Sequence, residues 1–212
     1  MVENQGKYPA NLSVDYPEKP LNRLTTFFRP ITVIPIAIIL GLLSGSSFEY
    51  TIDNTAYEMA AGGGVLFLAL VLMILFRQKY PKWWFDWNLA LTKFSCRVGV
   101  YMLLLRDEYP STDEEQAVHI ELKYPDVKNE LSRGLPLVKW FLAIPHYIVL
   151  AALLFAVSIC VLIAWFAILF TGKYPQGLFN FVTGVMRWGL RVNAYAFLLI
   201  TDKYPPFSLQ AD

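Results

Sequence analysis

Hydrophobic and polar positions divide the chain into long apolar runs separated by short segments built around Tyr-Pro pairs. Two apolar runs cover residues 31–45 and 60–76, and a third covers 137–170 with only Lys139 and His146 ionisable. Runs of this length and apolarity suit a bilayer. As a helix the second run reaches about 25 Å, short of a hydrocarbon core of roughly 30 Å, a gap that local thinning or aromatic anchors close. The third would reach about 51 Å as one helix, too long without a steep tilt. It is therefore expected to fold back on itself.

An internal repeat supports that division. Residues 76–105 align without gaps to residues 170–199 at a shift of 94. Phe76, Lys79, Tyr80, Pro81, Phe85, Arg97, Val98, Tyr101, Leu104 and Leu105 recur as Phe170, Lys173, Tyr174, Pro175, Phe179, Arg191, Val192, Tyr195, Leu198 and Leu199. Upstream, Leu21, Arg23, Ile34 and Pro35 recur as Leu131, Arg133, Ile144 and Pro145 at a shift of 110. The first copy thus carries 16 extra residues, placed in a loop over 44–62. The second copy is expected to be a hairpin turning near Ala156 to Ser158.

The expected fold is an all-α integral membrane protein of two tandem repeats. Each repeat is a short transmembrane helical hairpin plus an amphipathic interfacial helix, with short surface strands. Repeat one covers 1–110, with spans at about 31–47 and 60–77 and an interfacial helix at about 83–106. Repeat two covers 111–212, with spans at about 139–155 and 157–171 and an interfacial helix at about 177–201. Alternation marks strands at 12–15 and 118–123, which are expected to pair with each other. Seven of the 12 tyrosines precede a proline, where random placement gives fewer than one. Proline stops a helix and a tyrosine ring sits well at headgroup level, so the pairs read as punctuation, not as motifs for a proline-reading domain. Five of the tryptophans extend that aromatic belt: Trp83, Trp84, Trp87, Trp140 and Trp188.

Composition agrees with a membrane setting: 56% of residues are hydrophobic, 17% are charged, and the mean hydropathy is +0.41. A formal charge of +1 lacks the basic excess of a nucleic-acid binder. Cys96 and Cys160 lie in apolar segments as packing residues. The first thirty residues show no apolar region ending in a cleavage site, so no cleavable signal peptide is expected. The loop over 44–62 holds Glu49, Asp53 and Glu58 without Lys or Arg. The positive-inside rule then turns this loop outward and places both termini in the cytoplasm of a multi-pass protein.

Candidate chemistry concentrates on two stripes. Asp86, Lys93, Arg97 and Tyr101 share one helical face, and Asn180, Arg187, Arg191 and Tyr195 repeat it. These residues are candidate contacts for anionic lipids or partner subunits; alternatively they anchor the fold by pairing within the protein. His146 is the one titratable group well inside an apolar segment, a candidate intramembrane polar site. The simpler reading has its neutral ring satisfy a carbonyl freed by Pro145 or a neighbouring helix, since haem or metal ligation needs a second ligand and His119 lies in a surface strand. No nucleophile–base pair, metal-protease motif or phosphate loop is present, and Gly62 to Gly64 reads as a helix start. Lipid chemistry by Asp86, Arg97 or Arg191 is disfavoured. So is ion transport, because the spans lack acidic and basic residues at depth.

The strings FLAIPHYIVLAALLF, FAILFTGKYPQGLFNF and MRWGLRVNAYAFLLITDKYPPFSL resemble the bacterial membrane family known as domain of unknown function 4389. The resemblance is strong over 131–209 and weaker over 12–110, which implies a tandem pair. It implies no cofactor, metal or catalytic residue. The first copy departs by having Ile36 where the second has His146. Together these readings point to a non-catalytic accessory or scaffold subunit among other integral membrane subunits of the bacterial cytoplasmic membrane. The alternative is a membrane-surface organiser or lipid-binding protein.

Overall fold

The computed structural model describes residues 7–44, 48–52, 55–59 and 63–211. Its elements are β1 (Ala10–Val14), α1 (Arg23–Ser44), β2 (Phe48–Ile52), β3 (Thr55–Met59), α2 (Gly63–Arg77), α3 (Lys82–Met102), β4 (Val118–Leu122), α4 (Lys139–Leu142), α5 (Ile144–Thr171) and α6 (Gln176–Ala196). Helix dominates, and α1 and α5 are each long and apolar enough to cross a membrane. Strands β2 and β3 form a hairpin, which occupies most of the inserted loop. Asp53, the start of the second apolar run at 60–62, and the side chains of Glu49 and Glu58 lie outside the described residues.

The expected turn near Ala156 to Ser158 does not exist: α5 runs unbroken from Ile144 to Thr171. The physical reason is that nothing there opposes a helix. No Gly or Pro interrupts the segment, and the Ser158 hydroxyl donates back to the Leu154 carbonyl at 3.0 Å, an arrangement that leaves the helix intact. Without the extra residues of the first copy, the two expected spans fuse end to end. They stop at Gly172, whose left-handed φ of 74° places its N–H 2.7 Å from the Ile168 carbonyl. At the equivalent point after α2, Gln78 adopts φ 45° and its N–H meets the Ile74 carbonyl at 3.2 Å.

Helix α1 begins well before the expected 31 and carries Pro30 and Pro35 inside it. A proline has no N–H to give to the carbonyl four residues back, here that of Thr26. The Trp165 indole N–H of α5 donates to that carbonyl at 3.2 Å, so the defect becomes an interhelical contact. Helices α3 and α6 start directly after Pro81 and Pro175, both extended. They end sooner than expected, because Leu104 (φ 64°) and Leu199 (φ 56°) turn the chain left-handed.

Strands β1 and β4 pair antiparallel, with Leu12 opposite Ile120. Ala10, Leu12, Val118 and Ile120 are buried, while Ser13, His119 and Glu121 face outward, so the period of two makes one apolar and one polar face. Behind the apolar face lie α3 and α6, and behind these lie α1 and α5, giving three layers. Contacts cross between the halves. The Tyr16 hydroxyl donates to the Tyr174 carbonyl at 2.5 Å, and the Tyr124 hydroxyl donates to the Tyr80 carbonyl at 2.6 Å. The Tyr16 ring meets Phe179 edge-on at 5.0 Å, and the Tyr124 ring meets Phe85 edge-on at 5.2 Å. Each half's strand segment is therefore docked on the other half's helix.

Candidate functional site

Two of the buried cations are held in ion pairs. Arg29 of α1 is 2% exposed and Lys139 of α4 is fully buried. Ion pairing and hydrogen bonding to protein oxygen are what make such burial tolerable. Arg29 forms an ion pair with Asp107, donates to the carbonyls of Tyr101 (3.3 Å) and Arg106 (2.8 Å), and lies 4.4 Å from the Tyr101 ring centroid. Lys139 forms an ion pair with Asp202 at 2.7 Å, donates to the Thr201 carbonyl at 2.6 Å, and lies 5.2 Å from the Tyr195 ring centroid. Each carboxylate also accepts a main-chain N–H, from Asn22 at 2.6 Å and from Ser132 at 2.5 Å. Next to each, tyrosine rings meet edge-on: Tyr101 with Tyr109 at 5.5 Å, Tyr195 with Tyr204 at 5.6 Å.

The two stripes are distributed differently from a lipid-facing row. Asp86 and Asn180 are exposed and Lys93 is half-buried. Arg97 is buried and donates to the Ser111 carbonyl at 2.8 Å. Arg187 donates to the carbonyls of Leu12 (2.7 Å) and Leu209 (2.8 Å). Arg191, fully buried, donates to the carbonyls of Ser208 (3.3 Å) and Gln210 (3.0 Å). Tyr101 and Tyr195 are the floors beneath Arg29 and Lys139. The three guanidiniums thus serve main-chain carbonyls of the strand, the linker and the C-terminal tail.

His146 is fully buried. Its Nδ1 accepts from the Trp188 indole N–H at 3.2 Å, so of the two partners expected, a carbonyl freed by Pro145 or a neighbouring helix, the ring meets the helix, α6. Phe207 stacks on the ring at 4.0 Å and Tyr204 lies 4.8 Å away. Nε2 has no partner among the described residues. His119 is elsewhere, on the polar side of β4, 3.0 Å from an Asp15 carboxylate oxygen. Among the described residues no group of three His, Cys, Asp or Glu could hold a metal ion.

The second cluster, His146 and α6 fall together in one stretch of chain. Residues 136–208 match the family described as domain of unknown function (DUF4389). The DUF4389 region holds Lys139, Asp202, Tyr195 and Tyr204, nearly all of the second cation cluster, and ends just before Leu209, which lies against Gly184 of α6. No curated protein and no solved structure matches the chain.

Arg29, Asp107, Lys139 and Asp202 were not among the candidate site residues of the sequence. The signal was there: Arg29 and Lys139 correspond at the shift of 110, and Asp-x-Tyr-Pro occurs at 107–110 and again at 202–205. Recognising it requires setting an acidic residue in an exposed-looking loop against a cation at a helix start.

Proposed function

We propose that the protein is a non-catalytic membrane protein that serves as an accessory or scaffold subunit of a larger complex in the bacterial cytoplasmic membrane, with both termini on the cytoplasmic side. One observation carries this reading. Helices α1 and α5 leave large side chains such as Leu24, Ile31, Ile148, Phe155 and Phe170 exposed, whereas the buried cations are spent on internal partners. Such a molecule offers apolar surface and no assembled reaction centre. Tandem descent of both halves from one DUF4389-like unit is part of the proposal, supported by the matching cation clusters and the crossed tyrosine contacts. Extraction of the tagged protein in nanodiscs, followed by mass spectrometry, should yield co-eluting integral membrane subunits in fixed proportion. A monodisperse monomer in native-like lipid, with no subunit that can be crosslinked to it, would sink the reading.

A second reading, a membrane-surface organiser that holds anionic lipid, is favoured by an apolar recess of about 380 Å³ between α1 and α5. Val33, Met102, Val161, Leu162 and Trp165 line it, with Arg29 at its edge. Filling it by Val161→Phe should lower the lipid retained per protein without changing elution volume. Unchanged lipid content would remove this reading and leave the first standing.

A further inference from the structure

We infer that α1 and α5 lie flat within one leaflet, so that the protein is embedded from one side and the two helices, though long enough to cross, do not cross. The inference rests on the membrane reading and specifies how the apolar surface meets lipid.

Helix α5 and helix α6 run side by side in opposite directions. Tyr147 faces Phe197 at 6.2 Å near one end of the pair, and Val157, at the middle of α5, shares an apolar recess with Val182 and Val185 in the first half of α6. On the opposite side of α6, β1 and its flanks run along the same helix. Tyr16 meets Phe179, Leu12 accepts from Arg187, and the Tyr8 hydroxyl donates to the Arg191 carbonyl at 3.3 Å. The outer face of that sheet is charged: Lys7 pairs with Glu121 at 2.8 Å, and Asp15 lies 3.0 Å from His119. Strand, α6 and α5 are thus stacked lengthwise, with water-seeking groups on one outer face and bare hydrocarbon on the other.

Both ends of α5 are also tied to this stack. Lys139, just before α5, is paired with Asp202, just after α6; at the far end the Gly172 carbonyl accepts from the Leu21 N–H at 2.8 Å, beside the start of α1. If α5 stood upright in the bilayer, α6 and β1 would stand with it. Lys7, Asp15 and Glu121 would then be carried towards hydrocarbon, where charged groups are strongly disfavoured. Laid flat, the same stack puts every one of these charges in water. Helix α1 makes the matching arrangement on α3, with Arg29 over Tyr101 and Ile36 against Phe94 and Val98.

The exposed side of α5 fits a leaflet. Ile148, Phe155, Leu162 and Phe170 are 67%, 72%, 61% and 77% exposed and follow one another along a single stripe, facing away from the stripe of Leu150, Val157, Ala164 and Ile168 that packs inward. Leu24, Ile31 and Ile38 extend the bare surface on α1, and Leu68 and Phe76 on α2. A surface helix of this kind sinks about 5–10 Å below the headgroup boundary, which one leaflet accommodates.

Spin labels at Ile148→Cys, Phe155→Cys, Leu162→Cys and Phe170→Cys, each on a Cys96→Ala, Cys160→Ala background of the full chain in liposomes, test this by their depth relative to lipid standards. A flat α5 gives four labels at one shared depth of about 5–10 Å. A crossing α5 spreads them over about 33 Å of helix, with Phe155 and Leu162 about 10 Å deeper than Ile148 and Phe170, and that gradient overturns the inference. Water-accessible labels on protein that does not float with liposomes would instead remove the membrane reading itself. Pairwise dipolar broadening without lipid exposure would show a second copy covering the face, which also overturns it. In inside-out native vesicles, an impermeant maleimide should label Thr51→Cys and Thr112→Cys alike. Labelling of Thr112→Cys alone would mean that α1 crosses.

Discussion

The two halves of the molecule solve one packing problem with different residues. At the buried cation position the first half has a guanidinium with two carbonyls and a close aromatic face, while the second has an ammonium with one carbonyl and a more distant ring. The first half's Ile36 against Phe94 becomes His146 with Trp188 in the second. What stays constant is the layout: a cation at the start of the apolar segment, a carboxylate in the Asp-x-Tyr-Pro segment after the amphipathic helix, and a tyrosine beneath the cation. Charge pairing at that point is the shared requirement, and the identity of the cation is not.

That comparison breaks first at the carboxylates. Asp202→Ala leaves the fully buried Lys139 with the Thr201 carbonyl and the Tyr195 ring but no counter-charge, and should lower unfolding stability by about 3–5 kcal/mol. Asp107→Ala should cost less, about 1–3 kcal/mol, because Arg29 keeps two carbonyls and Asp107 is partly exposed. Thermal or denaturant unfolding in detergent would check the order, and equal losses would refute it.

Next comes Gly184, whose counterpart at the shift of 94 is the exposed Ala90. A Cβ on Gly184 would lie 2.9 Å from both the carbonyl oxygen and the Cβ of Leu209. Gly184→Ala should therefore dislodge the C-terminal tail and cost about 1–3 kcal/mol, read as faster proteolysis after residue 200. Ala90→Gly should cost at most about 1 kcal/mol, the ordinary helix penalty.

Gln78 sharpens the contrast in the other direction. It holds the left-handed position that Gly172 fills in the second half, so Gln78→Gly should stabilise by up to about 1 kcal/mol. A raised melting temperature would confirm it; a fall would mean that the Gln78–Arg133 hydrogen bond outweighs the backbone.

The smallest effect is one of pH. Burial holds the Lys139 ammonium below the usual lysine range, against the opposing pull of Asp202. Between its folded and unfolded pKa values the unfolded chain binds more protons, so stability from this group rises with pH across that window. Relative to Lys139→Arg, which does not titrate there, the wild type should gain stability as pH rises towards about 10. A pH-independent difference between the two would contradict this.

Local features were legible in the sequence. Alternation found β1 and β4, and the Tyr-Pro pairs found the starts of α3 and α6, because proline's effect on its neighbours needs no distant partner. The end of each amphipathic helix was misjudged because a left-handed leucine has no sequence mark. The unbroken α5 was missed because an apolar run reports burial in something apolar, not whether the chain turns inside it. The indole bound to Thr26 and the strands docked across the halves depend on groups far apart in sequence, which periodicity does not report.

Those crossed strands bear on how the chain is made. As it leaves the ribosome, β1 emerges first, but its edge partner β4 comes after α3, and Tyr8 closes onto the Lys203 carbonyl at 3.0 Å only when the last residues have appeared. Neither half can finish before the other, so maturation is a single late event, slowed by its distant pairings. Interrupted chains then carry an unsatisfied strand edge, a mark by which proteases could tell partial products from finished ones.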